Sequence, residues 1–253
     1  MANRLTLTIH GQQILGSRKN QEDSYDWMTN NLSDRDDTLC IVSDGMGGMA
    51  RGEEYSQSAV EQARLAFEQS SPDTEPHRLL LDCYARVHQA ALALRKAPED
   101  SDGGATLVMV LVRGGRCSFL SVGDSRICLL RGGGLIQLNR EQTLGPMLDE
   151  RAALGIISEA VASSNRFRAS LINHTNMDTP LPCDMNTTPF VLLPGDKVVL
   201  MSDGVFGTLS DDELIRSLSK SGDAAVQDVM QAITAKEKKD QDNSILVLIE
   251  VLE

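Results

Sequence analysis

The sequence has no excess of positive charge. Among its 253 residues, 24 Lys and Arg face 36 Asp and Glu, a formal net charge of −12. A nucleic-acid binder ordinarily carries a basic stripe that offsets phosphate charge, so this balance argues against nucleic acid as a partner. It does not exclude phosphate chemistry, because bound divalent cations invert the sign of an acidic site. No run approaches the ~20 apolar residues of a membrane span. Met1 to Thr8 alternates apolar and polar residues instead of forming the apolar segment of a secretion signal. The five cysteines, Cys40, Cys83, Cys117, Cys128 and Cys183, are dispersed without a C-x-x-C pair. Neither a zinc site nor a disulfide framework is indicated, and Cys40 and Cys117 sit in apolar runs where a thiol fills core space. Internal repeats, low-complexity tracts and Pro/Gly/Ser linkers are absent too. The apolar fraction of 41% and charged fraction of 24% are those of an ordinary globular chain. They exclude a disordered tail, a collagen-like chain and a disulfide miniprotein. These features predict a reduced, soluble, cytoplasmic, monomeric protein folded as one domain over residues 1–253, with neither a membrane nor nucleic acid as partner.

Periodicity supplies the elements. Leu5, Leu7 and Ile9 alternate with polar residues as in a half-buried strand, and Thr38 to Ser43 reads as a short buried strand. Tyr55, Ala59, Ala63, Ala66 and Phe67 fall at helical spacing. A second helix follows Pro76 with Leu80, Cys83, Val87, Ala91 and Leu94 on one face. Ala105–Val112 and Cys117–Val122 flank Gly114-Gly115, and Ile127–Leu130 and Leu135–Leu138 flank Gly132 to Gly134, which predicts two hairpins. Residues 141–188 are irregular, with a helix expected around 150–154. Strands are expected at 190–193, 197–201 and 244–252 and a helix at 225–235, while Ser210 to Glu213 forms a capping box. Strands cluster and helices pair without βαβα alternation, the pattern of an α+β layered domain with antiparallel sheets.

Four short acidic turns share one design. Ile41-Val42-Ser43-Asp44-Gly45 and Leu200-Met201-Ser202-Asp203-Gly204 are apolar strands ending in Ser-Asp-Gly. Leu120 to Arg126 places Asp124 after a similar run, and Lys239 to Asn243 places Asp242 just before the last strand. One Asp-Gly after a strand is ordinarily just a turn. Four that converge at one sheet edge would gather carboxylates into a cluster that needs cations, and hard divalent ions with oxygen ligands are the natural partners.

The ordered set Arg18 to Asp23, Asp44 to Gly48, Gly104 to Thr106, Val122 to Arg126, Leu200 to Gly204 and Asp242-Asn243 resembles the metal-dependent protein phosphatase 2C family in its bacterial single-domain form. The resemblance implies a four-layer αββα sandwich of two antiparallel sheets flanked by helices, with a metal centre at one end. It implies that Asp44 bridges two Mn²⁺ or Mg²⁺ ions, one of them also bound by the Gly45 carbonyl, and that Asp203 and Asp242 hold the second. Glu22 would act through water, Asp124 would serve a weaker third ion, and Asp23 would support the site from behind. Arg18 would bind the substrate phosphate; the plain alternative is a surface salt bridge from Arg18 to Glu22 or Asp23. The implied reaction is in-line attack of a metal-bridging hydroxide on phosphoserine or phosphothreonine in phosphorylated proteins, without a phosphoenzyme.

Some positions depart from the family pattern. Met46 stands where many eukaryotic members have a histidine proposed as general acid, and methionine donates no proton. Glu141-Gln142 stands where the family often has Asp-His. Residues 143–188 fall where bacterial members carry a flap, so Asn165, Arg166 and Arg168 are either substrate contacts or ordinary surface residues. His88 and His174 read as structural or exposed, and Met46 and Met49 as packing residues. The competing readings are a catalytically silent phosphatase-like domain that binds phosphoproteins for regulation, and a metal phosphoesterase acting on small molecules.

Overall fold

A computed structural model describes residues 5–32, 35–46, 51–95 and 103–252. Gly47, Gly48 and Met49 of the glycine turn lie outside the described residues. Strands β1 (Thr6–Ile14), β2 (Asp23–Leu32) and β3 (Arg35–Met46) precede helices α1 (Gly52–Glu68) and α2 (Pro76–Ala93). Next come β4 (Gly104–Ala105), β5 (Leu107–Arg113), β6 (Arg116–Val122), β7 (Arg126–Arg131) and β8 (Gly134–Gln137). They lead into α3 (Leu144–Ala153), α4 (Glu159–Ser163), β9 (Asp184–Met185), β10 (Phe190–Val191) and β11 (Lys197–Met201). The last elements are α5 (Asp203–Phe206), α6 (Asp211–Leu218), α7 (Gly222–Ala235) and β12 (Ser244–Leu252).

These strands form two antiparallel sheets, one in the order β1-β12-β11-β7-β8 and one in the order β10-β6-β5-β3-β2. Side chains alternate between a core shared by the two sheets and a core under the helices on each outer face. Cys40 and Val42 of β3, Val108 and Val110 of β5, and Ile245 and Val247 of β12 meet between the sheets. Leu39, Ile41, Leu107 and Met109 point the other way, onto α1 and α2 through Ala59, Ala63, Phe67, Leu80 and Val87. Val199, Met201, Leu246 and Leu248 likewise face α6 and α7 through Leu214, Leu218, Val226 and Val229. The result is helix, sheet, sheet, helix. Both faces of the central strands are covered, which is why their sequences run apolar without the alternation of a half-solvated antiparallel strand. Cys40 and Cys117 are fully buried in the inter-sheet core.

The structure departs from the sequence reading in four places. β2 has no apolar alternation to announce it; it is an edge strand whose Tyr25 and Trp27 rings stack 5.9 Å apart. The run expected at 105–112 is split at Thr106, which leaves the ladder to bond Asp44. In the irregular segment α3 begins earlier, at Leu144, and α4 adds a short turn capped by Ser158. The strand expected at 190–193 pairs only over Phe190–Val191, whereas the Ser210–Glu213 capping box is present in both directions. Among the described residues no helix is long and apolar enough to cross a membrane.

Candidate active site

The strand ends deliver their acidic turns to one place. A cavity of about 590 Å³ is lined by Arg18, Glu22, Asp44, Gly45, Met46, Thr106, Asp124, Asp203, Asp242 and Asn243, with Ala169, Ser170, Leu171 and His174 from the segment after α4. Asp44 is fixed by its backbone: its N–H donates to Thr106 Oγ1 at 2.9 Å and its carbonyl accepts from Thr106 N–H at 2.9 Å. Thr106 Oγ1 is itself 2.8 Å from Ser125 Oγ, next to Asp124. The two Asp-Gly glycines serve close backbone approach. A Cβ on Gly45 would sit 2.2 Å from the Gly52 carbonyl oxygen, and one on Gly204 would sit 1.9 Å from that of Asn243. The second contact joins the Asp203 turn to the Asp242 turn.

Asn243 links the acidic turns to the Arg18–Asp23 segment. Its Oδ1 accepts the Glu22 N–H at 2.8 Å and its Nδ2 donates to the Leu15 carbonyl at 2.8 Å. Asp23 lies opposite Asp44 in the β2–β3 register and is only 4% exposed. Its Oδ2 accepts from Ser202 Oγ at 2.7 Å, and that hydroxyl accepts the Ile245 N–H. Arg18 Nη2 donates to Asp242 Oδ2 at 2.5 Å, so its ion-pair partner is Asp242 and not the Glu22 or Asp23 that sequence proximity suggested.

Carboxylates outnumber cations here. Glu22, Asp44, Asp124, Asp203 and Asp242 line the cavity beside Arg18, the one Lys or Arg among the described residues that line it. Burial, and then repulsion from Asp23, Asp203, Asp124 and Asp242, push Asp44 well above the usual carboxylate range. Burial raises Asp23 to about 7 against the pull of the Ser202 hydroxyl, and burial with the Asp203 charge raises Asp124 to about 7. Asp203 and Glu22 also move up, chiefly by burial. Among the described residues no three His, Cys, Asp or Glu side chains close into a finished metal cage; the carboxylates stand around the cavity wall. A crowded, oxygen-only donor set of this kind fits hard divalent ions such as Mn²⁺ or Mg²⁺.

Other sequence candidates lie elsewhere. Arg168 forks onto Asp149 of α3 at 2.6 and 2.8 Å, and Arg166 lies over the Phe167 ring; neither lines the cavity. Glu141 pairs with Arg126 at 2.6 Å, and Gln142 Oε1 accepts the Gly123 N–H and Asn173 Nδ2–H. His88 contacts the Thr175 carbonyl. His174, read from sequence as structural or exposed, in fact lines the cavity. Nothing in its local sequence signals this, because its place is set by long-range bonds between Thr175 and Ala105 of β4. A second cavity of about 840 Å³, lined in part by Arg140, Met147, Glu150, Pro182 and Cys183, holds none of the motif carboxylates.

The family model described as protein phosphatase 2C matches residues 11–241. The chain belongs to the protein phosphatase 2C family. Relatives of this phosphatase 2C chain include the serine/threonine protein phosphatase PstP of Mycobacterium tuberculosis, 33% identical over 186 residues. That match covers 71% of this chain but 34% of PstP, so the chain aligns with about a third of its relative's length. Among solved structures, the S. agalactiae serine/threonine phosphatase superposes with a TM-score of 0.82 at 23% identity, covering 98% of this chain and 100% of that one. The catalytic domain of PstP in complex with two manganese ions superposes with a TM-score of 0.73 at 24% identity, covering 98% of this chain and 100% of that one. At these identities the superpositions establish the fold.

Proposed function

We propose that the chain is a metal-dependent serine/threonine protein phosphatase. It would hydrolyse phosphoserine and phosphothreonine in phosphorylated proteins, as a single, monomeric, cytoplasmic catalytic domain. The observation that carries this reading is the convergence of Arg18 with Glu22, Asp44, Asp124, Asp203 and Asp242 on one cavity in a chain of this family. Asp44, the Gly45 carbonyl, Asp203 and Asp242 are the groups that would hold two Mn²⁺ or Mg²⁺ ions. Glu22 would contribute through water, and Asp124 would serve a weaker third ion. Asp23, which accepts from Ser202 and lies opposite Asp44 in the register, would support the site from behind. When bound, the ions supply activated water near neutral pH and Lewis-acid stabilisation of phosphoryl charge.

The chain's own residues do the rest. Arg18 is half-exposed, with 51% of its side chain accessible, and it spends one arm on Asp242. Its other donors are free to meet phosphoryl oxygens, where the planar fork gives directed, charge-assisted bonds that a lysine would not. The rigid strand ends keep the carboxylates in place, so little reorganisation accompanies reaction. The cavity holds no cysteine, and this reading needs no covalent phosphoenzyme.

Arg18→Ala is expected to lower kcat/KM on a phosphothreonine peptide by about 10- to 100-fold, the worth of one or two charge-assisted hydrogen bonds. Most of the loss should appear in KM, and Arg18→Lys should recover only part of it. Phosphate release is measured with Mn²⁺ present, beside a phosphotyrosine peptide and a nucleoside monophosphate. Preference for the phosphothreonine peptide supports the reading, and preference for the nucleotide points to a small-molecule phosphoesterase. A phosphopeptide bound tightly but released intact would make the chain the silent binding module instead.

A further inference from the structure

We propose that His174 is a catalytic residue of this site, its Nε2–H donating a hydrogen bond to the ester oxygen of the departing serine or threonine. The inference rests on the phosphatase reading above. His174 is the one imidazole that lines the cavity shared by Arg18 and Asp44. Its place depends on a missing side chain. Gly104 faces Met46 across the β3–β4 pair, and a Cβ there would lie 2.6 Å from His174 Nδ1 and 3.2 Å from Met46 Cε. The ring therefore rests over the ladder beside Met46, a side chain that can donate nothing.

The ring is oriented and its tautomer is set. The Asn176 N–H donates to Nδ1 at 3.2 Å, which leaves the proton of the neutral ring on Nε2. Burial and the charge of Arg95 hold its pKa below the ordinary histidine value, so at neutral pH it is a neutral donor. The flanking residues are clamped. Thr175 N–H donates to the Ala105 carbonyl at 2.9 Å, and Asn176 Nδ2 donates to the Gly103 carbonyl at 2.9 Å. Arg95 Nε donates to Asn176 Oδ1 at 2.7 Å. Thr175 and Asn176 are buried, an anchorage that fixes the ring beside the cavity.

The chemistry calls for such a donor. In hydrolysis the P–O bond to the side-chain oxygen breaks, and its electron pair moves onto that oxygen. A new P–O bond forms to water, and the proton that the alcohol gains comes from that water. Negative charge develops on the ester oxygen inside a ring of carboxylates, and Nε2–H offsets it without leaving the imidazole.

The test compares wild type, His174→Ala and His174→Gln on a phosphothreonine peptide and on p-nitrophenyl phosphate, with Mn²⁺. Threonine is a poor leaving group, whereas nitrophenolate is stable unaided. His174→Ala should lower kcat on the peptide by ~100-fold and on the aryl phosphate far less. His174→Gln, whose Nε2 also donates, should recover much of the peptide rate. The ratio of the two rates within one variant cancels any loss of folded protein. Equal losses on both substrates, or an unchanged peptide rate, would overturn the assignment while leaving the phosphatase reading intact. A wild type that releases phosphate from neither substrate would overturn both.

Discussion

Asp44→Asn is expected to abolish phosphatase turnover while making the metal-free protein more stable. The substitution keeps the shape of the side chain and removes its charge. It takes away the carboxylate on which the two-ion site would centre, and several kcal/mol of Lewis-acid stabilisation corresponds to on the order of 10³-fold in rate. The stability effect has the opposite sign. Asp44 is half-buried among Asp23, Asp203, Asp124 and Asp242, and its ionised form is opposed both by desolvation and by those charges. A neutral amide relieves that repulsion, and its N–H groups find carboxylate acceptors around it. A gain of about 1 kcal/mol raises the Tm of a chain this size by roughly 2–4 °C. Scanning calorimetry in EDTA and phosphate release with Mn²⁺ check the two halves. Retained turnover, or a lower metal-free Tm, would count against the cluster as a functional site held at the expense of stability.

The second large effect is on the pH dependence of stability. Without metal, the folded state is expected to lose stability as pH rises from about 4 to about 7. Asp23 and Asp124 are raised to about 7 in the fold, chiefly by burial, and Asp44, Asp203 and Glu22 move in the same direction. In the unfolded chain such groups ionise near 4. Between these values the native state keeps protons that the unfolded state has released, so the contribution of Asp23 and Asp124 is complete below about 4 and lost above about 7. Ionising one carboxyl whose pKa has moved from 3.8 to about 7 costs about 4 kcal/mol. That is a large fraction of the ~5–15 kcal/mol that stabilises an ordinary domain. Glu213, drawn down to about 2 by Lys236, titrates below this window and does not mask it. Mn²⁺ binds the deprotonated carboxylates and should raise the Tm strongly at pH 8 and weakly at pH 5. A metal-free Tm that climbs from pH 4 to 7, or one that Mn²⁺ leaves unmoved at pH 8, would contradict this electrostatic description.

The layered α+β architecture was legible because the buried strands at 38–43, 107–112, 197–201 and 244–252 are strongly apolar and the helices strongly periodic. The convergence of the acidic turns was legible because each carboxylate follows or precedes such a strand, and antiparallel packing brings those ends to one edge. β2 was not legible, since an edge strand with one exposed face and residues such as Asp23, Ser24, Asp26 and Thr29 has no pattern to show. The Arg18–Asp242 pair spans 224 positions, and no local signal encodes it. The place of His174 at the cavity was hidden for a related reason. A lone histidine in an irregular segment carries no period, and its place depends on Gly104 lacking a side chain 70 residues earlier.

The most direct measurement follows inorganic phosphate released from a phosphothreonine peptide as Mn²⁺ is titrated into metal-stripped wild type and Asp203→Asn. The wild type should be silent in EDTA and gain activity that saturates with Mn²⁺, and Asp203→Asn should stay near background across the titration. Full activity in EDTA, or a variant that follows the wild-type curve, would contradict the assignment of these carboxylates to a divalent-metal phosphatase centre.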